Sequence, residues 1–210
     1  MLRGENKAFP PLTIPGFVAF EPCKNRNLER GHYRAKENKT MNLKDVEVFE
    51  ETWLCRSFLK LKRYRLRHKL FNGGWSGLMI REMVERPQVA AVLPYDPILD
   101  KVVLIEQFRP GPVSVGESPW LMEIVAGIAE VGESLEELAH REAKEEANLE
   151  ILALKLIHHY WVSPGMCDEK VALFCGRVDA AYAGGVHGLV HEHEDIKVHV
   201  MDAARVFELA

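Results

Sequence analysis

The segment that most limits how this chain can fold is residues 127–150, GIAEVGESLEELAHREAKEEANLE, which places eight glutamates on an otherwise amphipathic helix. Ser134 followed by Glu137 has the spacing of a capping box, each side chain satisfying a free backbone N–H of the other. Leu135, Leu138, Ala139 and Ala143 recur at i, i+3, i+4 and i+8, the signature of a buried face, and Asn148 suits a left-handed C-cap. Turning about 100° per residue from Leu135, Glu142 falls near −20° and Glu146 near +20°, inside a stripe bounded by Leu138 near −60° and Ala143 near +80°. Glu145 lies on the flank, and Glu136 and Glu137 point elsewhere. Like charges one turn apart repel, and carboxylates facing a core must be paired, protonated or metal-bound. Arg141 stands about 100° from Glu142 around the helix and does not neutralise the whole set. A hard divalent cation does: Mg²⁺ takes one or two carboxylates together with substrate phosphates. The helix is predicted to be a metal platform.

The rest of the chain supplies one core. At 210 residues it buries a single substantial core with room for an accessory element. A net charge of −4 argues against a general nucleic-acid or anionic-membrane binder. The basic run Lys60–Lys69 is the local exception; it reads either as a phosphate or RNA patch or as a solvated, twisted strand, and the acidic remainder favours the strand. Cys23, Cys55, Cys167 and Cys175 show no CxxC spacing, so neither a disulfide framework nor a zinc site is expected. No apolar run approaches the roughly 18 residues of a membrane span, and the amino end lacks a signal-peptide core. A cytoplasmic location is the expectation.

Residues 1–43, with Pro10, Pro11, Pro15 and Pro22, read as an irregular arm. Strands are predicted at 46–54, 58–70 and 77–85, with Asn72-Gly73-Gly74 turning the last two. A second group follows at 88–93, 102–109 and 121–126, punctuated by Asp96-Pro97 and Pro110-Gly111-Pro112. After the glutamate helix come strands at 152–161, 171–178 and 196–201, then a short helix over 202–209. Strands around helices without a βαβ alternation indicate an α+β sandwich. The divisions are an arm (1–43), an antiparallel β-sheet element (44–86) and a main domain (87–210).

Gly127, five residues, Glu133, seven residues, then Arg141-Glu142-Ala143-Lys144-Glu145-Glu146 resembles the Nudix box, with Leu149 as its last aliphatic position and Asn148 standing where the pattern has Gly. From Val46 onward the chain is similar to the ADP-ribose pyrophosphatases of that superfamily. Segments 65–73, 103–109, 163–165, 185–189 and 192–196 carry the likeness, and Pro164 lies fifteen positions beyond Leu149. The resemblance implies a Nudix fold, an α/β/α sandwich on a mixed sheet, with an added antiparallel sheet. It implies Mg²⁺-dependent hydrolysis of ADP-ribose to AMP and ribose 5-phosphate, with two or three Mg²⁺ ions, or Mn²⁺ in their place.

The same resemblance assigns roles. Glu142, Glu145, Glu146, Glu194 and the carbonyl of Ala126 hold metal; Glu142 and Glu146 are also catalytic, with Glu192 as general base. Arg109 contacts phosphate, and Ile128, Ser163 and Glu169 line the pocket. Phe58, Leu59, Arg81, Glu82 and Arg86 complete the partner's site in a homodimer that exchanges its amino-terminal sheet. Nucleic acid and membrane are not expected partners.

Read from the residues alone, the same positions stay more open. An extended 191–195 would put Glu192 and Glu194 on one side and both histidines on the other; a charged surface loop is the simpler reading. Arg109 before Pro110 is a strand-end cation or an anion contact. His158 and His159 read as structural, and Trp75 as core, while Phe58 suits either the core or adenine stacking. Competing substrates are NADH, nucleotide sugars, dinucleoside polyphosphates and oxidised nucleoside triphosphates. A non-catalytic ADP-ribose sensor is the competing class, but every box acid is present.

Overall fold

Alternating apolar and charged residues over 46–85 build a three-stranded antiparallel meander: β1 (Val46–Arg56), β2 (Lys60–His68) and β3 (Met79–Glu85). The computed structural model describes residues 40–209; the expected arm lies outside the described residues as far as residue 39. The basic run forms β2, and its cations meet acids on the neighbouring strands. Lys62 pairs with Glu51 (2.9 Å) and Glu85 (2.7 Å), Arg63 with Glu82 (2.6 Å), and Arg67 with Glu47 (2.6 Å). The solvated-strand reading therefore holds. Trp75 departs from its core assignment. It is only half-buried, with the Arg67 guanidinium 4.7 Å and the Lys69 ammonium 5.5 Å from its ring.

The second sheet is mixed. It contains β4 (Val89–Asp96), β5 (Lys101–Phe108), β6 (Trp120–Glu123), β7 (Val125–Ile128), β8 (Ala153–Trp161), β9 (Lys170–Arg177), β10 (Val186–His187) and β11 (Ile196–Asp202). Its order is β10-β11-β5-β4-β9-β8, with β4 and β9 parallel. β4 and β5 pair only at their hairpin end, Tyr95↔Val102 and Asp96↔Lys101. Beyond that they diverge: β6 pairs β5 and β7 pairs β4. The single strand predicted at 121–126 is thus two short strands meeting at Ile124, and they wedge the sheet open.

Helices cover both faces. α1 (Leu135–Ala147) packs its Leu138, Ala139, Ala143 and Ala147 on Ala90, Val92, Val103, Ile105, Val125 and Ile196. On the opposite face α2 (Ala203–Leu209) adds Ala203 and Val206 to Val102, Leu104, Leu93 and Ile124. Because β5 is covered on both sides, Val102-Val103-Leu104-Ile105 is a continuous apolar run rather than an alternating one. The hairpin tip is fixed by Asp96, 2% exposed, whose carboxylate accepts the N–H groups of Ile98 (2.8 Å), Leu99 (3.1 Å) and Ala180 (2.9 Å). No helix among the described residues is long and apolar enough to cross a membrane.

Candidate active site

The capping box forms as the sequence predicts: Glu137 N–H donates to Ser134 Oγ (3.2 Å), and Ser134 N–H to the Glu137 carboxylate (2.9 Å). Asn148 closes α1 in the left-handed region at φ 51°, ψ 34°. Between the caps, the stripe holds Glu146 at 3% exposure beside Ala143 and Ala147. One Glu146 oxygen accepts the Ala126 N–H at 3.0 Å. Burial, with the nearby charges of Glu142 and Glu194, pushes its pKa up to about 8 against the opposing pull of Ala126 and Arg109. Burial likewise raises Glu142 to about 7, although Arg141 pulls it down.

Glu142 owes its place to Gly127. A β-carbon on Gly127 would collide with the Glu142 carboxylate, so any other residue there would push that side chain aside. Arg141 reaches further than its angle on the helix suggests: it pairs with Glu133 (2.8 Å), Glu142 (2.9 Å) and Glu145 (2.9 Å). Its guanidinium stands where a cation is called for, at three of the acids but not at Glu146. Among the described residues no three acidic, His or Cys side chains converge closely enough to hold a metal ion in this arrangement. The donor set nevertheless suits one, because Glu146, 3% exposed and one turn from Glu142, is the acid that Arg141 leaves without a cation beside it.

Facing the helix across the wedge, Arg109 forms a two-pronged ion pair with Glu123, Nη2 to Oε2 at 2.9 Å and Nε to Oε1 at 3.1 Å. The negative charges of Glu146 and Glu194 reach Arg109 and, with Glu123, favour its charged form. Glu194 is half-buried and accepts the Leu189 N–H (3.0 Å). Glu192 is not brought there. The loop is not extended as the alternation argument required: residues 190–192 form a 3₁₀ turn, His193 adopts φ 60°, and Glu192 lies exposed, 3.6 Å from His191.

A cleft of about 490 Å³ adjoins this centre, lined by Phe58, Lys60, Glu85, Arg86, Pro87 and Ile128. Phe58, 89% exposed, is not core. Arg86 is held by Glu169 (3.0 Å), and its own N–H donates to Asp168 (2.7 Å). The Ser163–Glu169 loop docks on β3 by reciprocal bonds, Val84 N–H to Met166 C=O and Asp168 N–H to Val84 C=O. Phe58, Arg86 and Ile128 thus meet within one chain. Leu59, Arg81 and Glu82 do not join them: Arg81 donates to the carbonyl of Ile80 (2.8 Å), and Glu82 pairs with Arg63. Glu123 escaped the sequence reading, since its partnership with Arg109 depends on the β5–β6 register and not on spacing.

The family model of the NUDIX domain matches residues 85–209. The chain belongs to the Nudix family. Among curated relatives of this Nudix chain, the "ADP-ribose pyrophosphatase" of Escherichia coli (strain K12) is 45% identical over 169 residues, covering 80% of this chain and 81% of that one. The protein of the same name in Haemophilus influenzae is 44% identical over 167 residues, 78% and 77% of the two chains. A "GDP-mannose pyrophosphatase" of Pectobacterium atrosepticum is 31% identical over 154 residues, 73% and 78%. A solved structure described as an ADP compounds hydrolase shares the Nudix chain's fold, with TM-score 0.60 at 20% identity over 81% of this chain and 85% of that one.

Proposed function

We propose that this chain is a Mg²⁺-dependent ADP-ribose diphosphatase, hydrolysing the pyrophosphate to AMP and ribose 5-phosphate. The observation that carries the reading is the conjunction of a buried Glu146 without a cation, one turn from Glu142, and a cleft nearby, in a chain 45% identical to an ADP-ribose pyrophosphatase over four-fifths of its length. Glu142, Glu145, Glu146 and Glu194, with the Ala126 carbonyl, would hold two or three cations, Mn²⁺ substituting for Mg²⁺. The N–H and C=O of one strand residue leave by the same edge, and Ala126 already directs its N–H to Glu146. Bound divalent cations would offset the pyrophosphate charge and acidify the attacking water.

The chain's own groups do the rest. Arg109 offers planar donors to a phosphate, and its Glu123 partner sets the plane of the guanidinium. Glu192, as general base, accepts the proton of the attacking water; its exposed position leaves it free to do so on a bound substrate. Phe58 presents an open aromatic face to adenine, with Ile128, Ser163, Arg86 and Glu169 around the cleft. Leu59, Arg81 and Glu82 act in the partner's site of a homodimer that exchanges the sheet β1–β3. In support, that sheet leaves Val48, Phe49, Leu54 and Ile80 exposed, apolar side chains spread over both of its faces that a second copy could cover. The arm, the sheet element over 44–86 and the domain over 87–210 form the working units. We place the enzyme in the cytoplasm.

A second reading, cleavage of a nucleotide sugar, draws on the 31% identity to the GDP-mannose pyrophosphatase. A hydrolysis panel of ADP-ribose, NADH, GDP-mannose and dATP with Mg²⁺, products resolved by chromatography, separates them. ADP-ribose should give the highest kcat/KM, with AMP as product. A preference for GDP-mannose transfers the assignment to nucleotide sugars.

A further inference from the structure

Gly188 sits outside the family box, yet the structure ties it to both halves of the acid centre. Its N–H donates to the carbonyl of Glu145 on α1 (3.2 Å). Its φ of +103° is a conformation that side-chain-bearing residues rarely adopt. A β-carbon there would lie 2.7 Å from the Glu194 β-carbon and 3.3 Å from the Glu194 carbonyl carbon and oxygen. The loop between the two residues closes on itself at the same point, Leu189 N–H to the Glu194 carboxylate (3.0 Å) and Glu194 N–H to the Leu189 carbonyl (3.3 Å). Immediately beyond it Ile196, fully buried, enters the core.

We propose that Gly188 is a positioning residue: by leaving room for Glu194 and by bonding to Glu145, it sets where the Glu194 carboxylate stands relative to the acids of α1. The physical basis is pre-organisation. A loop carboxylate contributes to a charged site only if its place is fixed before the ligand arrives, and groups that orient a ligating side chain matter nearly as much as the ligand. Gly188 touches no reacting atom; it acts through Glu194. The inference rests on the reading of Glu194 as a metal-associated acid only where cation affinity is concerned, since the loop geometry can be read without metal.

The test compares Gly188→Ala with Gly185→Ala in the full-length protein. Gly185 has a similar φ of +90°, but a β-carbon there meets only the His187 ring, at 3.4 Å. In metal-free protein, amide exchange at Leu189 should accelerate about tenfold or more in Gly188→Ala and change little in Gly185→Ala. Mn²⁺ affinity, read from the paramagnetic resonance signal of the free ion, should fall about tenfold in Gly188→Ala. It should fall no further when the same change is made in Glu194→Ala. If Gly188→Ala fails to fold, the double variant Gly188→Ala/Glu194→Gly, which vacates the contested space, should regain folding. Unchanged Leu189 exchange in Gly188→Ala, or no regain of folding in the double variant, overturns the proposal. Wild type and Glu146→Gln binding Mn²⁺ alike would instead overturn the metal platform, while Leu189 exchange still decides the role of Gly188.

Discussion

Glu146 is the buried acid of the proposed site, and its burial should have consequences of opposite sign for stability and for the proposed activity. In an unfolded chain it ionises near the ordinary 4.5; in the folded, metal-free chain it does so near 8, because burial opposes its charge. The unfolded state therefore releases the proton first, and the folded state loses relative stability as pH rises from 4.5 to about 8, with no further change above. Glu142, raised to about 7, adds in the same direction. In chelator, Glu146→Gln should melt above wild type at pH 8 and close to it near pH 4.5, by thermal unfolding monitored with circular dichroism. With Mg²⁺ the same variant should lose about 10³-fold in ADP-ribose turnover, roughly 4 kcal/mol of barrier. A folded variant with near wild-type turnover removes Glu146 from the mechanism. At this scale the sequence was informative wherever a residue broke a local rule, as Glu142 and Glu146 did inside an apolar stripe. It was silent on Glu123 and Gly188, which matter through neighbours distant in the chain, and it understated Arg141, whose long side chain spans three acids that the wheel keeps apart.

Elements were legible where periodicity and caps coincide, as in α1 with Ser134 and Asn148 at its ends. The break at Ile124 was not, since 121–126 carries no glycine or proline before Gly127 and the split arises from pairing with two diverging strands. The β4–β5 hairpin depends on Asp96, an Asp-Pro turn residue whose carboxylate collects three N–H groups. Burial pushes its pKa up, but those donors outweigh burial and hold it below the ordinary 3.8. A depressed carboxylate contributes stability above its unfolded pKa and loses it as pH falls through the folded value. Asp96→Ala should therefore cost about 1–3 kcal/mol at pH 7 by urea unfolding, since its removal leaves the buried Ala180 N–H without its acceptor. The difference from wild type should shrink below pH 3.8. An equal cost at pH 7 and pH 3 would show that the turn is held by something other than the carboxylate.

For the whole molecule, the sheet β1–β3 was readable as strands, but its purpose was not, because exposed apolar side chains gain meaning only from what covers them. Under the exchange proposed above, Glu146 of one protomer works with Arg81 of the other. Glu146→Gln and Arg81→Ala homodimers should each be inactive, while subunit mixing should recover about a quarter of wild-type activity, since half the dimers would carry one intact site of two. No recovery despite mixed dimers in native mass spectrometry would confine Arg81 to its own chain. The wedge of β6 and β7 carries a further consequence at this scale. The glutamate helix spans the opened sheet, packing on β4 and β7 and on Val103, Ile105 and Ile196 beyond them, while Arg109 follows the end of β5, and β4 and β5 pair only at Tyr95 and Asp96 with Val102 and Lys101. Ile124, at the fulcrum, packs on the far side of the sheet with Ala203 and Val206 of the last helix. On the proposed function, trimming a side chain under Ile124 should therefore change the spacing between Arg109 and the carboxylates that would hold the cations, and with it ADP-ribose turnover, without touching any acid.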